Sequence, residues 1–132
     1  MEVKKRAEII QKWIDDYCKS VPFDLQSLVV GISGGIDSSV VSTLCALTGR
    51  KTIVLSMPIK QHKSQHDLSL TQGNWLIKKF KNVKFDILNL ENIFNEFEKT
   101  LNKFDSEHGF ANSRSRLRMT TLYQIAAANN GI

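Results

Sequence analysis

Two rhythms of apolar residues alternate along this chain. Val3, Ala7, Ile10, Ile14 and Tyr17 stand at helical spacing, with Trp13 bordering the same face, and predict a helix over ~2–19 that Val21-Pro22 closes. The unbroken run Leu28-Val29-Val30-Gly31-Ile32 predicts a strand over ~27–32. A helix over ~37–48 follows and ends at Gly49. Thr52-Ile53-Val54-Leu55-Ser56-Met57 is rich in β-branched residues and reads as a buried strand stopped by Pro58. Residues ~59–65 are polar and aperiodic. Leu68, Leu70, Trp75, Leu76 and Phe80 predict a helix over ~65–80, and Val83-Lys84-Phe85-Asp86-Ile87-Leu88 a third strand. Ile93, Phe94, Phe97, Leu101 and Phe104 fit one face of a helix over ~90–103. After a loop around Ser106-Glu107-His108-Gly109, a last helix is expected from Asn112, as its N-cap, to Asn129.

Strands alternating with helices predict an α/β fold: a parallel sheet with helices on both faces. In such sheets ligands lie at the carboxyl ends of the strands. The turns after the first two strands both fall at that end. No internal repeat, low-complexity stretch or linker interrupts the pattern, so residues 1–132 read as a single domain.

The turn after the first strand carries the chemistry. It reads Ser33-Gly34-Gly35-Ile36-Asp37-Ser38-Ser39 and opens directly into a helix. Such a turn aims backbone N–H groups and the positive end of a helix at one point, which suits a phosphate. Adjacent glycines allow close approach to an anion where a Cβ would collide. Ser33, Ser38 and Ser39 add hydroxyl donors. Asp37 would repel phosphates unless a cation lies between, which points to Mg²⁺. The string lacks the Gly-Lys-Ser/Thr ending of a Walker loop and the G-x-G-x-x-G spacing of a dinucleotide fingerprint.

Composition narrows the class. Of 132 residues, 42% are hydrophobic and 23% charged, the profile of a globular protein, and no apolar run approaches the roughly 18 residues of a membrane span. Met1-Glu2-Val3-Lys4-Lys5-Arg6 has no apolar stretch behind it, so no secretory leader is expected. Cys18 and Cys45 are unpatterned and read as free thiols in a reducing, cytoplasmic setting. The net charge of +5 suits a small polyanion as well as a nucleic acid. Lys78, Lys79, Lys81 and Lys84 read as a solvated helix end. His62 and His66 lack a third ligand nearby, which argues against a metal site there.

The last predicted helix begins Asn112-Ser113-Arg114-Ser115-Arg116-Leu117-Arg118-Met119. At ~100° per residue Arg114 and Arg118 share a face and Arg116 points away from them. Asn112, Arg116, Met119 and Tyr123 fall near one stripe.

The glycine turn resembles the pyrophosphate loop of the N-type ATP pyrophosphatases, whose members include NAD, GMP, asparagine and argininosuccinate synthetases and tRNA-modifying enzymes. Asn112 through Met119 resembles the N-x-x-x-R-x-R-M signature of the NAD synthetases. With Met57-Pro58 and an Asp nine residues further on, here Asp67, the resemblance spans nearly the whole chain. It implies a Rossmann-like adenine-nucleotide α-hydrolase fold. ATP phosphates, and later pyrophosphate, would be held by Gly31, Ile32, Ser33, Gly34, Gly35, Ile36, Asp37, Ser38 and Ser39. Asp37 would bind Mg²⁺, and with Ser33 would form the catalytic set. The backbone of Ser56 and Met57 would meet the adenine, and Arg116 with Asn112 the substrate deamido-NAD. The implied reaction adenylates the nicotinate carboxylate, releases pyrophosphate, and lets ammonia displace AMP. The resemblance further implies a homodimer; neither nucleic acid nor membrane is expected as a partner. It also implies that the family's Gly-Thr-x-Asn-x-x-Glu segment is expected beyond Ile132, with Gly131-Ile132 opening its strand. A tRNA-modifying member of the superfamily and a non-catalytic nucleotide-binding module are the rival readings.

Overall fold

The computed structural model describes residues 2–132. Three strands, β1 (Leu28–Ile32), β2 (Thr52–Ser56) and β3 (Val83–Ile87), form one parallel sheet in the order β1-β2-β3. Leu28 pairs with Thr52 and Ile32 with Ser56; Thr52 pairs in turn with Val83. The carboxyl ends of all three strands are therefore level, and the segments that follow them emerge along one rim.

Helices α1 (Val3–Ser20), α2 (Ile36–Leu47), α3 (Lys63–Lys79), α4 (Glu91–Thr100) and α5 (Glu107–Ala128) cover the sheet. Strand alternation divides them. Leu28 and Val30 turn toward Cys18 of α1 and Cys45 of α2, while Ile32, Val54 and Val83 meet Ala46 and Leu76 of α2 and α3. Val29, Ile53 and Leu55 face the other way, onto Phe94 of α4 and Phe110, Leu117, Leu122 and Ile125 of α5. Successive strand residues point to opposite faces, so a strand buried on both sides must be apolar throughout. That is why β1 was legible as an unbroken run and the middle of β2, Ile53-Val54-Leu55, as a buried strand. The polar ends of β2, Thr52 and Ser56, are buried on hydrogen bonds.

Local chemistry moves three of the predicted boundaries. The last helix starts at Glu107, not Asn112: the Ser106 side chain caps it by accepting from the Gly109 N–H at 3.1 Å. Asn112 thus lies in the second turn, where its Nδ2 donates to the His108 carbonyl at 3.0 Å. Helix α3 begins at Lys63, inside the stretch expected to be aperiodic. Helix α4 stops at Thr100, and a 3-10 turn (Asn102–Phe104) carries Phe104 out to solvent. On α1 the inward residues are Ile14 and Cys18, whereas Val3, Ile10 and Tyr17 of the predicted stripe are exposed.

Gly131 and Ile132 lie along the outer edge of β1. Gly131 bridges Ser27 in parallel, Val29 N–H donates to Ile132 at 2.7 Å, and Ile132 N–H donates to Ser27 at 3.1 Å. These contacts form an isolated bridge beside β1 and no fourth strand.

Candidate phosphate loop and cleft

The bend between β1 and α2 is held by its own serines. Ser33 N–H donates to Ser38 Oγ at 3.1 Å, Gly35 N–H donates to Ser33 Oγ at 3.2 Å, and the Ser33 and Ser38 hydroxyls lie 3.2 Å apart. The hydroxyls of Ser38 and Ser39 both donate to the Gly35 carbonyl, at 3.2 and 2.9 Å. Gly34 has φ +90°, a left-handed conformation that side chains resist, and Gly35 is the extended N-cap of α2. No side chain caps this helix. The N–H groups of Ile36, Asp37 and Ser38 therefore begin a helix with no intrahelical acceptor behind them, the arrangement that attracts an anion. The Asp37 carboxylate stands exposed in that first turn.

Beside the bend lies a cleft of ≈ 330 Å³ whose lining includes Gly31, Ser33, Met57, Gln61, Arg118 and Leu122. Gly31 leaves room for it: a Cβ there would come within 3.1 Å of Met57 Cε and 3.4 Å of Leu122 Cδ1. Helix α5 forms the opposite wall. From it Arg118 Nε–H donates to the Met57 carbonyl at 2.9 Å. Burial pushes the Arg118 guanidinium pKa down, and the neighbouring positive charge of Arg114 adds to that.

The cleft gathers only part of the residues expected from sequence. Gly31, Ile32, Ser33 and Met57 line it. Gly34, Gly35, Asp37 and Ser38 form the adjoining bend. Ile36 and Ser39 send their side chains into a different groove, between α2 and α3. Ser56 points to the far side of the sheet, where its hydroxyl is buried against Ser69 Oγ at 2.8 Å; its carbonyl accepts from Leu88 N–H at 2.8 Å. Arg116 lies apart from the bend, in a groove of ≈ 290 Å³ with Ile93, Phe97 and Thr120. Asn112 is exposed. Arg114 pairs with Glu107 at 2.9 Å, its guanidinium carbon 5.7 Å from the Phe94 ring centre.

Sequence reasoning missed Arg118, Gln61, Ser115 and Leu122. Ser115, Arg118 and Leu122 recur at spacings of three and four, one face of a helix. The spacing was visible, but the face turned toward the bend was not, because polar and apolar residues surround α5 almost evenly.

Among the described residues no group of three or more His, Cys, Asp or Glu is placed to hold a metal ion. A cation at the bend would have Asp37 as its carboxylate ligand and would take other ligands from phosphate oxygens and water, the ordinary habit of Mg²⁺. No helix among the described residues is long and apolar enough to cross a membrane.

Comparison with known proteins gives the fold its family. The family model described as NAD synthase matches residues 6–132. An NH(3)-dependent NAD(+) synthetase of Finegoldia magna is 35% identical over 99% of this chain and 52% of its own length. Among solved structures, NMN synthetase from Francisella tularensis superposes with a TM-score of 0.88 at 27% identity, over 100% of this chain and 53% of that one. The NH3-dependent NAD synthetase of Campylobacter jejuni, in complex with the nitrate ion, gives 0.85 at 28% identity, over 99% and 55%. The chain spans about half the length of the curated relatives it matches.

Proposed function

The chain belongs to the NAD synthase family, and on that premise we propose that it serves the ATP-dependent, ammonia-fed conversion of deamido-NAD to NAD. The observation that carries this reading is the serine-braced glycine bend, with its uncapped N–H groups beside a cleft walled by Arg118. The bend and the start of α2 are proposed to hold the β- and γ-phosphates. Met57, at the end of β2, then lies on the adenosine side.

The chemistry has two steps. A nicotinate carboxylate oxygen attacks the α-phosphorus, and the bond to the bridging oxygen of the departing pyrophosphate breaks. Ammonia then attacks the acyl carbon of the mixed anhydride, AMP leaves, and one proton is released as the amide forms. Charge grows on the pyrophosphate in the first step, where preoriented N–H groups and hydroxyls act without reorganising. Ser33 and Ser38 keep that donor set in shape. Neither step needs a side-chain nucleophile. Asp37 would hold Mg²⁺, which when bound offsets phosphate charge.

Arg116 and Asn112 are proposed to meet the dinucleotide away from the loop. The apolar groove beside Arg116, with Ile93 and Phe97 exposed, suits a second copy of the chain and supports a homodimer. The two free, buried thiols suit a reducing, cytoplasmic setting.

The test is calorimetric and enzymatic. Mg·ATP should bind at one site and be displaced by pyrophosphate, pyrophosphate release should require deamido-NAD, and sustained release beyond one turnover should require ammonium as well. Failure of the chain to bind ATP refutes the reading. Release that depends on nicotinate mononucleotide instead reassigns the substrate, and release that depends on tRNA moves the chain to the RNA-modifying branch of the superfamily.

A further inference from the structure

Arg118 is a half-buried cation without a carboxylate partner among the described residues. Its only hydrogen bond among the described residues runs from Nε to the Met57 carbonyl. None of the ion pairs of the described residues includes it, and the charge beside it, Arg114, has its own sign. Among the described residues its terminal nitrogens have no partner, and they are not sealed from solvent, since there the single buried side-chain atom left without a partner is His66 Nδ1. The side chain lines the cleft that Ser33 and Gly31 also line. Partial burial strips some hydration from the guanidinium, and a counter-charge would offset that loss better than water does. Here the protein supplies a neutral carbonyl instead.

Resting on the ATP reading above, we propose that the missing counter-charge is the α-phosphate of ATP, which Arg118 contacts directly. The position fits. The bend at Ser33–Ser38 takes the far phosphates, and Met57 marks the adenosine side. Arg118 bonds Met57 and lines, from the α5 wall, the same cleft that Ser33 lines, so a nucleotide reaching from one to the other passes it. The bond through Nε leaves the outer N–H donors of the planar fork free for phosphate oxygens, a geometry that suits bidentate recognition. At this place the guanidinium would also meet the charge on the phosphorus under attack.

The competing account is that Arg118 only fixes the end of β2 through Met57. Affinities for four ligands separate the two. With Mg²⁺ present, Arg118→Met should weaken AMP and ATP roughly 10- to 100-fold, the loss of a charge-assisted contact. Adenosine and pyrophosphate should hold within about twofold, because neither carries the α-phosphate next to a ribose. Arg118→Lys should recover part of the AMP affinity, since it keeps the charge and loses the fork. If adenosine falls as far as AMP, Arg118 acts through Met57 and the proposal fails. If pyrophosphate falls as far as AMP, the contact is not with the α-phosphate and it fails again. Should circular dichroism show R118M unfolded, the lysine variant decides: AMP must weaken by about threefold or more with adenosine unchanged. A wild-type chain that binds no ATP refutes the nucleotide reading itself. A chain that binds ATP but is indifferent to Arg118 refutes this contact alone.

Discussion

Gly34 sits so close beneath the first turn of α3 that a Cβ on it would lie 2.4 Å from the Gln65 carbonyl oxygen. The same residue holds φ +90°. Both constraints fall on backbone, which cannot swing aside as a side-chain tip can. Gly34→Ala should therefore cost about 1–3 kcal/mol or more in stability, from strain and a forced shift of α3 against the bend. Thermal melting with and without ATP checks this. A variant that melts with the wild type and binds ATP equally well would show that the bend is not rigid.

Gly31 makes a contrasting case. Its Cβ would meet flexible atoms, Met57 Cε at 3.1 Å and Leu122 Cδ1 at 3.4 Å. Gly31→Ala should change stability by less than about 1 kcal/mol. Gly31→Val presses more bulk on Met57 and Leu122 and into the cleft, so it should cost about 1–3 kcal/mol in stability and lower ATP affinity by roughly tenfold or more. Titration of both variants with ATP distinguishes a filled cleft from a damaged core. Equal affinity in Gly31→Val would place the nucleotide elsewhere.

The bend and the sheet could be read from the chain because each is local. Val29 through Ile32 and Ile53 through Leu55 are apolar on both faces, and the glycine turn needs only the strand before it and the helix after it. What sequence left open depended on contacts between distant segments. Arg118 reaches Met57 across 61 residues, and nothing in three arginines on one helix says which will face β1. The face of α1 was misjudged for a related reason. Cys18 is small and weakly marked as apolar, yet it is the residue that α2 and β1 bury, while the more obviously hydrophobic Tyr17 stacks on Trp13 at the surface. Helix α5 was started late because Gly109 resembles a turn residue, whereas its N–H is the one Ser106 caps.

Cys18 and Cys45 share the apolar cluster between α1, α2 and β1. Burial pushes the Cys45 thiol up to about 11, with Cys18 adding to the effect, and burial raises Cys18 as well. In the unfolded chain both thiols ionise near 9, so the unfolded state loses protons first as pH rises. The contribution of the protonated Cys45 is complete below about pH 9 and is lost between roughly 9 and 11, on the order of 2 kcal/mol. Urea unfolding across that window should show stability falling, and Cys45→Ala should flatten the slope. The folded chain should also react slowly with iodoacetamide at pH 8, since thiolate is the nucleophile and little is present. Rapid labelling of both cysteines without unfolding would contradict this.

Asp37 offers the sharpest separation of binding chemistry from folding. Its carboxylate is exposed in the first turn of α2, next to N–H groups proposed to hold phosphate. Replacing it with Asn removes a charge and keeps the shape, so stability should stay within about 0.5 kcal/mol. Two opposing effects then act on the nucleotide. Without Mg²⁺ the wild-type carboxylate repels the triphosphate, so Asp37→Asn should bind metal-free ATP as well as or better than the wild type. With Mg²⁺ the carboxylate becomes a ligand to the ion, and its loss should remove most of the gain in affinity that the ion gives. In turnover the same loss should cost on the order of 10²-fold. The decisive measurement is the ratio of ATP affinities with and without Mg²⁺ in each protein. A ratio that Asp37→Asn leaves unchanged would remove Asp37 from the metal site and leave the bend as a metal-independent anion cradle.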